Sequence, residues 1–234
     1  MRILLTNDDG IDAPGLRKLE QALIKSGHEV FVVAPSGERS MNSHAMRFPS
    51  LDAVAKRDDS HFAIDGMPAD TVYLAFTIPL IPTPDIVISG TNKGYNLSAD
   101  VIFSGTYNAA LEGAIYGAKA IAIAAENSTE IEKTYQKAAS FITTNLDRFY
   151  PILNPSFVLN INVPENATEK WETATLGPIK HKEKNHLIDK EHAAFFASNT
   201  RTDFSVVNDG IIALTAVNVR PELNADAMLK LSKD

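Results

Sequence analysis

Apolar positions in the first third of the chain change period twice. Arg2 to Leu5 is a short apolar run, Gly15 to Ser26 repeats Leu16, Leu19, Ala22 and Leu23 at near-helical spacing, and Val30 to Ala34 is a second unbroken run. The outer two predict strands and the middle one an amphipathic helix. A period near 3.6 gives a helix one apolar face, whereas short continuous runs suit strands covered on both sides. Pro14 stands near the helix start, where its missing N–H is harmless, and Gly27 lies where a left-handed residue ends a helix. The order strand, helix, strand predicts parallel neighbours joined by a right-handed crossover.

Residues 46 to 65 are less regular and have room for short strands, and Pro68 to Thr77 is helical up to the Pro-rich stretch Pro79 to Pro84. Asp85 to Ser89 predicts a buried strand, followed by a polar loop from Gly90 to Ser104. Thr106 to Gly117 then reads as helix, Ala120 to Ala124 as strand, Glu130 to Leu146 as amphipathic helix and Phe157 to Val163 as strand. These elements predict a doubly wound or three-layer α/β core with a mostly parallel sheet over residues 1–170. From Trp171 to Val219 strand-like pieces alternate with charged stretches, which predicts a hairpin-bearing subdomain within 171–234, and Pro221 to Leu231 predicts a short closing helix.

Composition narrows the chemistry. The sequence has no cysteine, so thiolate nucleophiles, disulfides and cysteine-ligated metals are excluded and reactivity must come from oxygen and nitrogen. The net charge is -7 and no basic block stands out, which argues against a nucleic-acid polymer or an anionic membrane as partner. A small phosphorylated substrate remains compatible, because a bound cation reverses the local field. The apolar run at the amino end is too short for a signal peptide and meets Asp8 and Asp9 at once, so a cytoplasmic address is expected.

In a parallel sheet all loops that leave carboxyl ends emerge at one edge. Three polar loops therefore converge: Thr6-Asn7-Asp8-Asp9-Gly10, Pro35 to His44, and Gly90 to Ser104. Adjacent carboxylates at Asp8 and Asp9 repel unless a divalent cation lies between them. A hard cation such as Mg²⁺ or Mn²⁺ suits a set in which Asp8 and Asp9 supply anionic oxygens and Ser40 and Asn92 neutral ones. Ser104, Gly105 and Thr106 open a helix, where N–H groups and hydroxyls can hold a phosphate, and Asn96 is a further polar candidate. Simpler readings stay open: Asn-Asp-Asp-Gly also makes an ordinary turn, and Ser104 or Thr106 also makes an ordinary helix cap. His44 could meet substrate or be incidental. Neither Gly-x-Gly-x-x-Gly, Walker A nor Gly-x-Ser-x-Gly is present, which counts against dinucleotide enzymes, P-loop ATPases and α/β-hydrolases. A nucleotide-binding or glycosyltransferase-like module that uses the same edge without hydrolysis is the competing class.

Over nearly its whole length the chain resembles the SurE family of survival proteins and 5′-nucleotidases. The likeness is carried by Ile3-Leu4-Leu5-Thr6-Asn7-Asp8-Asp9-Gly10 with Ala13-Pro14-Gly15, Val33-Ala34-Pro35 with Arg39-Ser40, and Gly66-Met67-Pro68-Ala69-Asp70. It continues through Pro84-Asp85-Ile86-Val87-Ile88-Ser89-Gly90, Asn92, Gly94, Asn96-Leu97, Ser104-Gly105-Thr106 with Glu112-Gly113, Leu159-Asn160-Ile161-Asn162-Val163-Pro164, and Thr202-Asp203-Phe204. The resemblance implies a Rossmann-like fold and one Mg²⁺ or Mn²⁺ per subunit on Asp8, Asp9, Ser40 and Asn92. It also implies hydrolysis of nucleoside 5′-monophosphates, with 3′-monophosphates and short polyphosphate as further substrates, and homodimers or homotetramers that exchange carboxyl-terminal segments. Tyr107-Asn108, Thr91, Lys93 and residues 177 to 200 depart from the family pattern.

Overall fold

Alternate residues of the first strand pack into different helical layers. The computed structural model describes residues 1–177 and 201–220, and its first strand, β1 (Arg2–Thr6), is central. Ile3 and Leu5 pack with helices α1 (Pro14–Lys25) and α4 (Ile131–Phe149) on one face, while Leu4 packs with α2 (Pro68–Thr77) and Ala109 of α3 (Gly105–Ile115) on the other. Both faces are covered, which is why the strand reads as an unbroken apolar run. Leu16, Leu19 and Leu23 form the buried stripe of α1, and each such side chain contributes about 1.5–3 kcal/mol by leaving water.

The remaining strands are β2 (Glu29–Pro35), β3 (Val54–Lys56), β4 (His61–Ile64), β5 (Ile86–Lys93), β6 (Lys119–Ala125), β7 (Phe157–Val163), β8 (Trp171–Thr173) and β9 (Ile212–Asn218). They form one sheet of 9 strands in the order β3-β4-β2-β1-β5-β6-β7-β9-β8. The run from β4 to β7 is parallel, as expected for strands joined by helical crossovers. β3 pairs antiparallel with β4 at one end, and β9 pairs antiparallel with β7 near the other. A short helix, α5 (Asp203–Asn208), precedes β9.

Two expected boundaries move. The polar loop placed after Ser89 does not begin at Gly90. β5 runs on to Lys93, pairing Asn92 with Ala124 and Lys93 with Ala125 beyond a register shift after Ser89. Thr91, Asn92 and Lys93 have no apolar signal, so a ladder held by backbone bonds alone was not legible there. Further on, Ser98–Phe103 forms a 3-10 turn and the helix starts at Gly105, one residue before the expected Thr106. The strand-like pieces after Trp171 are β8 and β9, and both extend the main sheet, with β8 parallel to β9. The hairpin expected between them falls largely on 178–200, and the short helix expected over Pro221 to Leu231 lies beyond 220; both are outside the described residues. Among the described residues no helix is long and apolar enough to cross a membrane.

Candidate active site

β1 pairs with β2 on one side and β5 on the other. The chain therefore leaves β1 in one direction and returns to its opposite flank, which makes the carboxyl edge between β1 and β5 the switch point of the sheet, where ligands of such folds bind. Asp8 and Asp9 leave the end of β1, and Asn92 and Lys93 close β5. The Asn-Asp-Asp-Gly segment is indeed a turn, but Asn7 and Gly10 close it. Asn7 Nδ2 donates to the Gly10 carbonyl at 2.9 Å, and the Gly10 N–H donates to Asn7 Oδ1 at 3.2 Å. That division leaves the side chains of Asp8 and Asp9 for other work. The loop after β2 is drawn onto the same turn, because the Arg39 N–H donates to the Asp8 carbonyl at 2.7 Å and the Ile11 N–H to Pro35 at 2.8 Å.

Asp8 is only 3% exposed. Its Oδ1 accepts from the Thr106 hydroxyl, and its carboxylate lies so close to Gly105 that a Cβ there would stand 2.8 Å from Oδ2. Ser104 caps the same helix, its Oγ accepting from the Tyr107 N–H at 3.0 Å. The positive end of α3 therefore faces an acidic side chain, a favourable arrangement for the anion. Even so, burial pushes the Asp8 carboxyl up to about 6, with the neighbouring Asp9 charge adding to the rise and the Thr106 hydrogen bond opposing it. Asp9 is also held above the usual carboxylate range, first by burial and then by the charge of Glu38, against a hydrogen bond from the Lys93 N–H at 3.2 Å. No ion pair links either carboxylate to a basic side chain among the described residues.

The donor set fits a hard divalent cation. Among the described residues no group of three or more His, Cys, Asp or Glu could hold a metal. An ion between Asp8 and Asp9 would have to complete its shell with neutral oxygens, as Mg²⁺ and Mn²⁺ readily do. Asn92 is adjacent to Lys93, whose N–H holds Asp9, and uses its Nδ2 on the Gly94 carbonyl at 2.9 Å, so Oδ1 is the atom it can offer. Ser40 is exposed, and its hydroxyl donates to Glu38 at 3.1 Å; its tie to the site is through the backbone of the adjacent Arg39. Asn96 is buried, its N–H donating to Asn162 Oδ1 at 2.8 Å and its carbonyl accepting from Asn160 at 2.8 Å and Asn162 at 3.0 Å. The Nδ2 of Asn96 is buried without a hydrogen-bond partner. A buried donor of that kind is costly unless something accepts from it.

The sequence model of the family described as "Survival protein SurE" matches residues 3–186. The chain belongs to the SurE family. The protein named 5'-nucleotidase SurE of Desulfitobacterium hafniense (strain DSM 10664 / DCB-2) is 32% identical over 233 residues, covering 93% of this chain and 91% of that one. Its namesake from Solidesulfovibrio magneticus is 42% identical over 170 residues, covering 70% and 66%. The crystal structure of the SurE protein from Aquifex aeolicus superposes with a TM-score of 0.82 at 28% identity over 100% of each chain.

Several side chains that support this SurE-family site had no assigned role in the sequence reading. Asn160 and Asn162 alternate along β7, and that polar pair at period two inside an apolar strand was the available signal. His44, left open between substrate contact and none, meets the buried Glu112 of α3 through Nε2 at 2.7 Å. Asn108, a departure from the family pattern, donates to the carbonyls of Ile102 at 2.9 Å and Ser104 at 2.8 Å, and so fixes the entry to α3. Asp203, fully buried, accepts from the Ser98 N–H at 2.6 Å and the Gly177 N–H at 3.1 Å.

Proposed function

We propose that this chain is a divalent-metal-dependent 5′-nucleotidase that converts nucleoside monophosphates to nucleoside and inorganic phosphate at the Asp8–Asp9 edge. Nucleoside 3′-monophosphates and short polyphosphate are included as further substrates. The observation that carries the reading is the Asp8 carboxylate, buried beside Asp9 and seated against Gly105 and Thr106 at the positive end of α3. The relatives named 5'-nucleotidase SurE support it.

Asp8, Asp9, Ser40 and Asn92 would hold one Mg²⁺ or Mn²⁺ per subunit. Such an ion supplies charge for the phosphoryl oxygens and an acidified water. The work of the chain itself is positioning. The Gly105 and Thr106 N–H groups and the Ser104 hydroxyl are the donors offered to the phosphoryl oxygens, the Thr106 hydroxyl being engaged by Asp8, and the unpartnered Nδ2 of Asn96 is a further donor. Asp9, less buried than Asp8, orients the attacking water. A water oxygen bonds to phosphorus, the bond to the ribose oxygen breaks, and a proton passes to that leaving oxygen. We place the enzyme in the cytoplasm as a homodimer or homotetramer, without nucleic-acid polymer or membrane as partner.

Incubation with AMP tests the reading. Phosphate release that EDTA abolishes and Mn²⁺ restores is the expected result. Tight AMP binding with no phosphate release in Mn²⁺ or Mg²⁺ would instead assign a nucleotide-binding module.

A further inference from the structure

Exposed apolar side chains scattered singly are ordinary, but ones grouped beside a polar site point to a contact surface. Met41 is 81% exposed, Ile102 55% and Phe103 45%, and they lie on two segments that are bonded together. The Ser43 N–H donates to the Phe103 carbonyl at 3.1 Å, and the Ser43 hydroxyl to the Ile102 carbonyl at 2.8 Å. Both segments also lead into the candidate active site. Arg39 is bonded to the Asp8 carbonyl two residues before Met41, and Phe103 directly precedes the Ser104 cap of α3.

Met41 and Ser43 have φ of 59° and 54°, the left-handed region that side chains other than glycine seldom adopt. This backbone holds Met41 outward while Ser43 closes onto Phe103. Asn108 binds the carbonyls on either side of Phe103, so the lip is fixed from both segments. The Cα of Phe103 lies no more than about 7.6 Å from that of Gly105, two virtual bonds away, and Gly105 touches the Asp8 carboxylate. The lip is thus within one ribose's reach of a phosphate held at Ser104–Thr106.

We propose that Phe103, flanked by Met41 and Ile102, is the platform on which the substrate base stacks. The inference rests on the nucleotidase reading of the Asp8–Asp9 edge. An aromatic face accepts any base, since every base has a π-face, and the thioether of Met41 adds a soft, adaptable contact. The platform therefore favours nucleosides over bare sugar phosphates and discriminates weakly between purine and pyrimidine.

The test compares kcat/KM for AMP and for ribose 5-phosphate, which has no base, in Mn²⁺. Phe103→Ala is expected to lower the AMP to ribose 5-phosphate ratio at least about fivefold, the low end of what one base–aromatic stack supplies, with the loss in KM and recovery in Phe103→Tyr. Met41→Ala, at a side chain with little to lose in folding, is expected to lower the ratio about threefold by the same contact. An unchanged ratio in both alanine variants overturns the platform. If sedimentation then shows smaller species, the lip is a contact between copies of this chain. A wild-type protein inert toward both substrates overturns the nucleotidase reading itself, and the platform with it.

Discussion

Gly105→Ala adds one methyl group where Asp8 already lies. The new Cβ would stand 2.7 Å from Asp8 Cβ, 2.8 Å from Oδ2 and 3.1 Å from Cγ, whereas ordinary contact begins at 3.4 Å. Either the carboxylate or the first turn of α3 must therefore move by roughly 0.7 Å (3.4 less 2.7). The side chain cannot swing freely, because the Thr106 hydroxyl holds Oδ1 and the Arg39 N–H holds the main chain. Overpacking of this kind costs about 1–3 kcal/mol. Alanine is a better helix former than glycine by about 1 kcal/mol, which offsets part of that cost. The net loss of about 0–2 kcal/mol lowers Tm by at most roughly 8 °C for a chain of this size. Activity is far more sensitive, since a displacement near 1 Å at a reacting centre can cost about a hundredfold. We expect Gly105→Ala to melt close to the parent in thermal denaturation, to release phosphate from AMP about a hundredfold more slowly, and to bind Mn²⁺ more weakly in calorimetry. Parental kcat/KM together with parental Mn²⁺ affinity would refute the claim that Asp8 works from this cradle.

Three further outcomes follow from the same geometry. Asp9→Asn keeps the Lys93 N–H acceptor but removes a charge, so it should retain the fold, judged by circular dichroism, while losing most phosphate release and much Mn²⁺ affinity. Because burial raises the Asp8 carboxyl from 3.8 to about 6, the metal-free folded state holds that proton more tightly than the unfolded chain. The stability Asp8 contributes is thus present below pH 3.8 and is lost as pH rises through about 6, whereas Mn²⁺ needs the ionised form and gains affinity over the same window. Calorimetry in buffers of different ionisation heat should detect proton release on Mn²⁺ binding near pH 5.5, chosen just below the raised value; a pH-independent affinity from 5 to 7 would contradict it. Asn162→Ala strands the buried Asn96 N–H, at a cost of about 1–3 kcal/mol, readable as a lower denaturant midpoint; an unchanged midpoint would mean that the clamp is idle.

The layers of the fold were legible because their signals are local. β1, β2, β6 and β7 are apolar runs, and α1 and α4 carry one apolar face each, so period alone placed them. The extension of β5 was not legible, since Asn92 and Lys93 pair through backbone groups that any residue supplies and Thr91 lies in the irregularity before them. Membership of β8 and β9 in the main sheet was likewise invisible, because strand pairing between Asn160 and Thr215 depends on long-range register rather than on either segment. At the site, adjacency of Asp8 and Asp9 could be read directly. Their burial could not, nor could the division of labour that gives the turn to Asn7 and Gly10. Asn160 and Asn162 show the reverse case: the pattern was present, and only the fold shows that it clamps the backbone of Asn96.

Asp203 gives the carboxyl-terminal part of the chain a hold on the amino-terminal chemistry. Its buried carboxylate grips Ser98, at the start of the turn that delivers Ser104 to α3, across 105 residues of sequence. A fragment ending after β7 would retain Asp8, Asp9, Ser40 and Asn92 while losing that grip. Such a truncation keeps the ligand inventory intact yet lets the entry to α3 drift, so counting retained motif residues would overstate what the shortened protein can do.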